Sequence, residues 1–137
     1  FDYNKPIDAF VAGTGTGGTI MGAGKFIKNR YPVCKLVALE PAESPVMSGG
    51  ESGLHGIQGI GDGSKFLVDL NDIDRIETIS TEESIKKSKS LAKQYGLFVG
   101  FSAAANFLVA ERLIEEGYAE NVVTILCDRG ERYFSCL

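Results

Sequence analysis

A glycine-rich loop occupies residues 13–19 and has the sequence Gly13-Thr14-Gly15-Thr16-Gly17-Gly18-Thr19. It follows an apolar run, residues 9–12, and precedes a helix-like segment, residues 20–31. Amides at the start of a helix lack partners within the helix, and the helix dipole adds about half a positive charge there. Glycines let the backbone adopt positive φ and let a phosphate approach closely. The loop therefore predicts a site for a phosphate-bearing cofactor or substrate.

Strand-like and helix-like segments alternate along the rest of the chain. Apolar runs predict strands over residues 9–12, 36–39, 75–79 and 122–126. Helices are predicted from Gly18 to about Asn29, from after an N-cap at Thr81 to near Gly96, and from after Ser102 to near Gly117. This order predicts an α/β fold, a three-layer arrangement with a mainly parallel sheet and helices on both faces. Phosphates bind outside the carboxyl ends of such strands, where the glycine loop lies.

Composition and charge narrow the class of protein. A length of 137 residues suits one domain, residues 1–137. The net charge of −4 offers no basic surface for nucleic acid, and no apolar run approaches the ~20 residues of a membrane span. Cys34, Cys127 and Cys136 are scattered and form no CxxC pair, which argues against a disulfide framework or a metal site. We therefore expect a cytoplasmic protein that binds no metal, nucleic acid or membrane.

The glycine loop by itself also fits a dinucleotide-binding domain. Gly13, Gly15 and Gly18 satisfy the GxGxxG pattern, and Glu40 ends the next strand at the distance expected for a ribose-binding acid. On these residues alone, an NAD-binding Rossmann dehydrogenase domain stays open. So do a glycine turn that only packs a helix on a strand and a non-catalytic interaction domain that keeps the fold.

Five motifs in order along the chain resemble the cysteine synthase family (O-acetylserine sulfhydrylases), which are fold-type II pyridoxal phosphate enzymes. The first is the phosphate loop at residues 15–19. The others are Leu39-Glu40-Pro41, Ser48-Gly49-Gly50 with Ile57-Gln58-Gly59-Ile60-Gly61, Val99-Gly100-Phe101-Ser102, and Gly130-Glu131-Arg132-Tyr133 followed by Ser135. Because the motifs cover almost the whole chain, the resemblance implies the cofactor domain of a tryptophan synthase β-like enzyme.

The resemblance implies pyridoxal 5′-phosphate as cofactor and a role for each matched position. The residues implied to hold its phosphate are Gly15, Thr16, Gly17, Gly18 and Thr19. Ser102 is implied to contact the pyridine nitrogen, although a serine there also suits a helix N-cap. The substrate cleft is implied to be bordered by Gly59, Ile60 and Gly61. His55, the only histidine, is interpreted as a loop residue and not as a catalytic base.

The implied reaction is a β-replacement that forms L-cysteine from O-acetylserine and sulfide. Cystathionine β-synthase, or a related enzyme that replaces a serine-derived leaving group, is the close alternative. The family also implies a homodimer, and a serine acetyltransferase as a second partner.

Two of this chain's departures from the family pattern bear on its function. The family's Schiff-base lysine lies in an N-terminal segment, and no lysine of this chain matches it, so no catalytic residue is assigned here. We therefore expect the C-terminal part of a larger cofactor domain, incomplete and inactive by itself. After Gly61 the sequence Asp62-Gly63-Ser64-Lys65-Phe66 replaces the common aromatic-Ile-Pro, which leaves the exact substrate open.

Overall fold

The computed structural model describes residues 4–64 and 66–136. Within these ranges lie four strands, β1 Ala9–Gly13, β2 Lys35–Pro41, β3 Arg75–Ile79 and β4 Val122–Thr124. Three α-helices connect them, α1 Gly18–Arg30, α2 Thr81–Tyr95 and α3 Phe101–Glu115, with short 3₁₀ turns at Leu70–Asp72 and Gly130–Cys136. Among the described residues, no helix has the length and apolar character needed to span a membrane.

The strands form one parallel sheet in the order β3-β2-β1-β4. Val11 of β1 pairs with Val37 of β2, and Val37 pairs in turn with Arg75 of β3. The two central strands are almost fully buried, as expected when helices cover both faces of a parallel sheet. The predicted α/β class with a parallel sheet is therefore confirmed.

Alternate residues of the central strands face two separate hydrophobic clusters, because side chains alternate between the faces of a sheet. The cluster on the α1 face includes Phe10, Ala12, Ile20, Leu36 and Ala38. The cluster on the α3 face includes Ala9, Val11, Val37, Leu39 and Val109. α2 packs on α3 from outside. This arrangement confirms the predicted three layers.

Helix α2 begins one residue earlier than the predicted N-cap implies. Ser80, not Thr81, is the N-cap residue, and it forms a capping box with Glu83. The Glu83 amide donates to Ser80 Oγ at 3.2 Å, and the Ser80 amide donates to the Glu83 carboxylate at 2.8 Å. The hydroxyl of Thr81 instead accepts a hydrogen bond from the Gly56 amide at 2.8 Å. Gly96 adopts φ 67° at the C-terminus of α2, as predicted.

Helix α3 and strand β4 also differ from the predicted bounds. α3 begins at Phe101 with extended Gly100 as its N-cap residue, so Ser102 lies inside the first turn and is not the N-cap. β4 ends at Thr124 instead of residue 126, because only Ala9, Phe10 and Val11 of β1 have partners in it. Because α3 begins at Phe101, the Ser102 side chain projects from the first turn of the helix and is not used as its cap.

Candidate functional site

A cleft of about 450 Å³ lies beside the glycine loop, at the carboxyl end of β1. All five residues predicted to hold a phosphate line it, as do Ser102, Gly59 and Ile60. Gly61 is not among the lining residues. The remaining lining residues are Gly13, Gln58, Asp62, Cys127, Asp128, Arg132 and Tyr133. The fold thus gathers segments that are more than 100 positions apart in the sequence.

The glycine loop holds the start of α1 open toward this cleft. Gly17 is the N-cap residue with φ 89°, and no side chain caps the helix or places an acid in its first turn. A methyl group at Gly17 would lie 2.6 Å from Val68 Cγ2, so the backbone fits closely against the segment that follows residue 66. Thr16 and Thr19 are exposed on the cleft. Uncapped amides, a helix dipole and two hydroxyls together suit a phosphate dianion.

The loop that carries Gly59 and Ile60 is fastened to the glycine loop by its backbone. The Gly61 amide donates to the Thr14 carbonyl at 2.9 Å, and Gly61 adopts φ 69°. His55 fastens the same turn, since its Nε2 lies 2.9 Å from the Gly61 carbonyl oxygen and its Nδ1 accepts from the Ile57 amide at 3.2 Å. Because Nδ1 accepts from the Ile57 amide, Nε2 is the ring nitrogen that donates to the Gly61 carbonyl. His55 therefore holds the loop backbone.

Glu40 is buried, with 2% of its surface exposed, and it does not line the cleft. Its carboxylate accepts hydrogen bonds from the Met47 amide at 2.7 Å, the Ser48 amide at 2.8 Å and the Ser48 hydroxyl at 2.6 Å. All of its partners thus belong to the turn that follows β2. The interpretation of Glu40 as a ribose-binding acid is wrong, because the buried carboxylate makes its hydrogen bonds to this turn and does not reach the cleft.

Asn106 joins two strand ends beside the cleft, and sequence reasoning did not identify it. Its side chain is 1% exposed on the sheet-facing side of α3. Oδ1 accepts from the Gly13 amide at 2.8 Å, and Nδ2 donates to the Ile125 carbonyl at 2.9 Å. Nδ2 also lies 3.5 Å from the sulfur of Cys127. The sequence signal that could have identified Asn106 was a side-chain amide among the alanines and apolar residues of α3.

Ser102 reaches the cleft because buried serines of α2 hold the chain that enters α3. The Ser84 hydroxyl donates to the Phe101 carbonyl, and the Ser88 hydroxyl donates to the Val99 carbonyl at 2.7 Å. Ser102 is 3% exposed, and its hydroxyl makes no hydrogen bond to another described residue. The hydroxyl can therefore donate to or accept from a ligand without breaking an internal bond.

Tyr133 and Asp128 close the cleft on its C-terminal side. The Tyr133 hydroxyl donates to Asp128 Oδ2, and the ring packs on Phe101 with centroids 4.5 Å apart. Asp128 Oδ1 is buried without a hydrogen-bond partner among the described residues, against Gly100, where any side chain would collide with it. Burial and the bond to Asp128 raise the pKa of Tyr133 to about 12.

Tyr133→Phe is expected to remove a pH-dependent part of the stability. An unfolded tyrosine ionises near pH 10, whereas folded Tyr133 keeps its proton to about pH 12. The free energy that Tyr133 contributes is thus fully present below pH 10 and is lost as the pH rises toward 12. Below pH 10 the variant should be less stable by about 1–3 kcal/mol. Urea denaturation of both proteins from pH 8.5 to 11.5 measures the difference.

The control for this series is Tyr95→Phe, which removes an exposed hydroxyl on α2. If the gap in unfolding free energy between wild type and Tyr133→Phe stays constant across the series, the hydroxyl of Tyr133 has no raised pKa and the inferred contact with Asp128 is wrong.

Comparison with known proteins places this chain in a family. The family model described as pyridoxal-phosphate dependent enzyme matches residues 1–128. Cysteine synthase of Staphylococcus aureus is 42% identical over 135 residues, which are 96% of this chain and 43% of that protein. Cysteine synthase B of Campylobacter jejuni is 42% identical over 137 residues, which are 98% of this chain and 45% of that protein.

Solved structures give the same result. A hydrogen sulfide-producing enzyme of Fusobacterium nucleatum matches with a TM-score of 0.87 at 40% identity, over 96% of this chain and 40% of that one. O-acetylserine sulfhydrylase isoform 3 of Entamoeba histolytica matches with a TM-score of 0.88 at 39% identity, over 96% and 40%. An O-acetylserine dependent cystathionine β-synthase of Helicobacter pylori matches with a TM-score of 0.86 at 40% identity, over 95% and 43%. This chain thus spans less than half the length of each of these relatives.

Proposed function

Since this chain belongs to the family of pyridoxal-phosphate dependent enzymes, we propose that it is the C-terminal part of the cofactor domain of an enzyme that forms L-cysteine from O-acetylserine and sulfide. The observation that carries the proposal is the gathering of the glycine loop, Ser102 and the loop at Gly59 and Ile60 around one cleft. Relatives named cysteine synthase at 42% identity support the reaction.

The residues of the cleft fit pyridoxal 5′-phosphate. The residues that would hold its phosphate are Gly15, Thr16, Gly17, Gly18 and Thr19, at a helix start that carries no cap and no acid. Ser102 would contact the pyridine nitrogen with a hydroxyl that has no other described partner. When bound, the cofactor supplies an electron sink for chemistry at the α and β carbons of an amino acid.

This chain's own contribution is binding and orientation. The uncapped amides of α1 would hold the phosphate, while Gly59 and Ile60 would border the space for substrate. Gly61, which does not line the cleft, would hold their loop in place through its hydrogen bond to the Thr14 carbonyl. A neutral hydroxyl at Ser102 does not hold a proton on the ring nitrogen as a carboxylate would. That difference suits elimination and replacement of a good leaving group better than transamination. No catalytic residue is assigned within this chain, and the Schiff-base lysine is expected from a segment outside it.

A cystathionine β-synthase activity is the second candidate. It is favoured by the match to the Helicobacter pylori enzyme, which is named as an O-acetylserine dependent cystathionine β-synthase. The two reactions differ in the sulfur substrate, which is sulfide in one and a thiol amino acid in the other. Assaying the complete protein with O-acetylserine and each sulfur donor separates them.

The family resemblance supports the proposed assembly, and the scattered cysteines support the proposed location. We propose a cytoplasmic homodimer that also binds a serine acetyltransferase. Light scattering of the complete protein, alone and mixed with that partner, measures both associations.

The proposed ring contact is tested by Ser102→Ala in the complete protein. The variant is expected to shift the absorbance spectrum of the bound cofactor. The dissociation constant of the cofactor should change by less than about threefold, because the contacts of the glycine loop with the cofactor phosphate are unchanged. Ser90→Ala on α2, away from the cleft, is the matched control. Identical spectra for wild type and Ser102→Ala through the reaction would rule out the contact.

A separately purified chain of residues 1–137 is expected to form no cysteine.

A further inference from the structure

Three consecutive residues of the cleft wall, Gln58, Gly59 and Ile60, belong to a segment with two glycines in the left-handed region. Gly59 adopts φ 91°, and Gly61 adopts φ 69°. Gln58 and Gly59 are exposed where they line the cleft. Glycine loses more conformational freedom on folding than any other residue, so its native conformation depends on contacts from elsewhere. The shape of this wall therefore depends on what holds the two ends of the segment.

The ring of His55 is bonded to both ends of this segment. Nδ1 accepts from the Ile57 amide at 3.2 Å, directly before the three wall residues, and Nε2 donates to the Gly61 carbonyl at 2.9 Å, directly after them. A methyl group at Gly61 would lie 2.8 Å from Nε2 and 2.6 Å from Pro41 Cγ, so Gly61 is packed between the ring and the end of β2. His55 itself is half-buried and does not line the cleft. It therefore acts on a ligand only through the backbone that it holds.

The glycine loop is held by bonds that do not involve His55. The amide and the hydroxyl of Thr14 both donate to the Leu39 carbonyl, at 2.9 and 3.0 Å. The Gly13 amide donates to Asn106 Oδ1 at 2.8 Å. Loss of the imidazole would thus loosen the wall at residues 58–60 and leave the proposed phosphate site in place.

We infer that His55 is a positioning residue for the amino acid substrate, because it fixes the wall at residues 58–60 by bonding the backbone on either side. The inference rests on the proposed function, which supplies the amino acid substrate. The Nε2 bond contributes more than the Nδ1 bond. It joins positions six apart in the chain and closes the whole segment, whereas the Nδ1 bond joins positions two apart.

Four variants of the complete, cofactor-loaded protein test this role. His55→Ala removes both bonds. His55→Gln retains an amide nitrogen that donates near the position of Nε2, and His55→Asn retains an oxygen that accepts near the position of Nδ1. Leu54→Ala is the control, because this neighbouring side chain is 99% exposed. The probe is L-serine, which has the amino acid part of O-acetylserine without the acetyl group, and its affinity is measured from the absorbance of the bound cofactor.

His55→Ala is expected to weaken L-serine binding by roughly 3- to 10-fold and to change the affinity for pyridoxal phosphate by less than about twofold. In turnover the KM for O-acetylserine should rise while kcat stays within about twofold, because uniform substrate binding is lost. His55→Gln should bind L-serine within about twofold of wild type, and His55→Asn should stay close to His55→Ala. Leu54→Ala should match wild type in every measurement.

Hydrogen exchange of the backbone amides at residues 57–61, measured without substrate, gives a result that does not depend on activity. Exchange should be roughly 3- to 10-fold faster in His55→Ala than in wild type and in His55→Gln. Equal exchange rates in wild type and His55→Ala would overturn the inference. So would equal L-serine affinities in those two proteins, or a loss in His55→Gln or Leu54→Ala as large as that in His55→Ala. A loaded wild type that forms no cysteine would instead refute the proposed function, while the exchange rates and the L-serine affinities still decide the role of His55.

Discussion

Gly17→Ala is expected to lower the free energy of unfolding by about 2–4 kcal/mol and to weaken binding of pyridoxal phosphate by roughly 10- to 100-fold. Gly17 adopts φ 89°, a conformation that costs an L-residue energy. The added methyl group would also lie 2.6 Å from Val68 Cγ2 and 3.0 Å from the Val68 amide nitrogen. Either the loop or the Val68 segment must move. The amides at the start of α1 would then no longer point toward the proposed phosphate position. Urea denaturation and cofactor absorbance measure the two effects.

Gly22→Ala is the matched control because Gly22 lies on the exposed side of the same helix. A methyl group there meets nothing within 4 Å, and the residue has ordinary helical geometry. This variant should be more stable than wild type by about 0.5–1 kcal/mol, with unchanged cofactor binding. If Gly17→Ala bound the cofactor as tightly as Gly22→Ala, the glycine loop would not be the phosphate site.

Asn106→Ala is expected to destabilise the protein by about 2–4 kcal/mol and to weaken cofactor binding. The truncation leaves the Gly13 amide and the Ile125 carbonyl without their present partner in a partly buried place. It also releases the end of β1, from which the glycine loop starts. Denaturation curves and cofactor titration of the complete protein measure both losses.

Asn29→Ala provides the comparison for an asparagine on an exposed helix surface, near the end of α1. Its change in unfolding free energy should stay within about 0.5 kcal/mol. An Asn106→Ala protein as stable as Asn29→Ala would show that the side chain of Asn106 does not hold the two strand ends together.

Local pattern was sufficient for the parts of the fold that depend on neighbours in the chain. The glycine loop between an apolar run and a helix predicted β1 and α1 because capping and dipole effects act within one turn. The helix C-terminus at Gly96 was predicted because only glycine readily adopts the left-handed conformation found there. The N-cap of α2 was placed one residue late because Ser80 and Thr81 are both good caps, and the capping box with Glu83 selects Ser80.

Side chains whose partners are distant in the sequence could not be assigned in this way. Glu40 ends a strand and looks like a ligand-binding acid, yet its carboxylate is occupied by the amides at residues 47 and 48. Asn106 looks like one polar residue in an apolar helix, yet it bonds Gly13 across 93 positions. Residue propensities and motif spacing give no information about either of these contacts.

The sequence by itself determined the α/β class, the alternation of strands and helices and the membership of the family, because these depend on short-range periodicity and on contiguous motifs. It also predicts a phosphate site at the loop of residues 13–19. Only the tertiary structure decided that Ser102 lies on the wall of the cleft and inside α3, that Tyr133 bonds Asp128, and that Asp62 sits against Gly15. The physical reason is that these relations depend on how the sheet brings its carboxyl ends together, and that arrangement is set by the packing of two helical layers on the sheet.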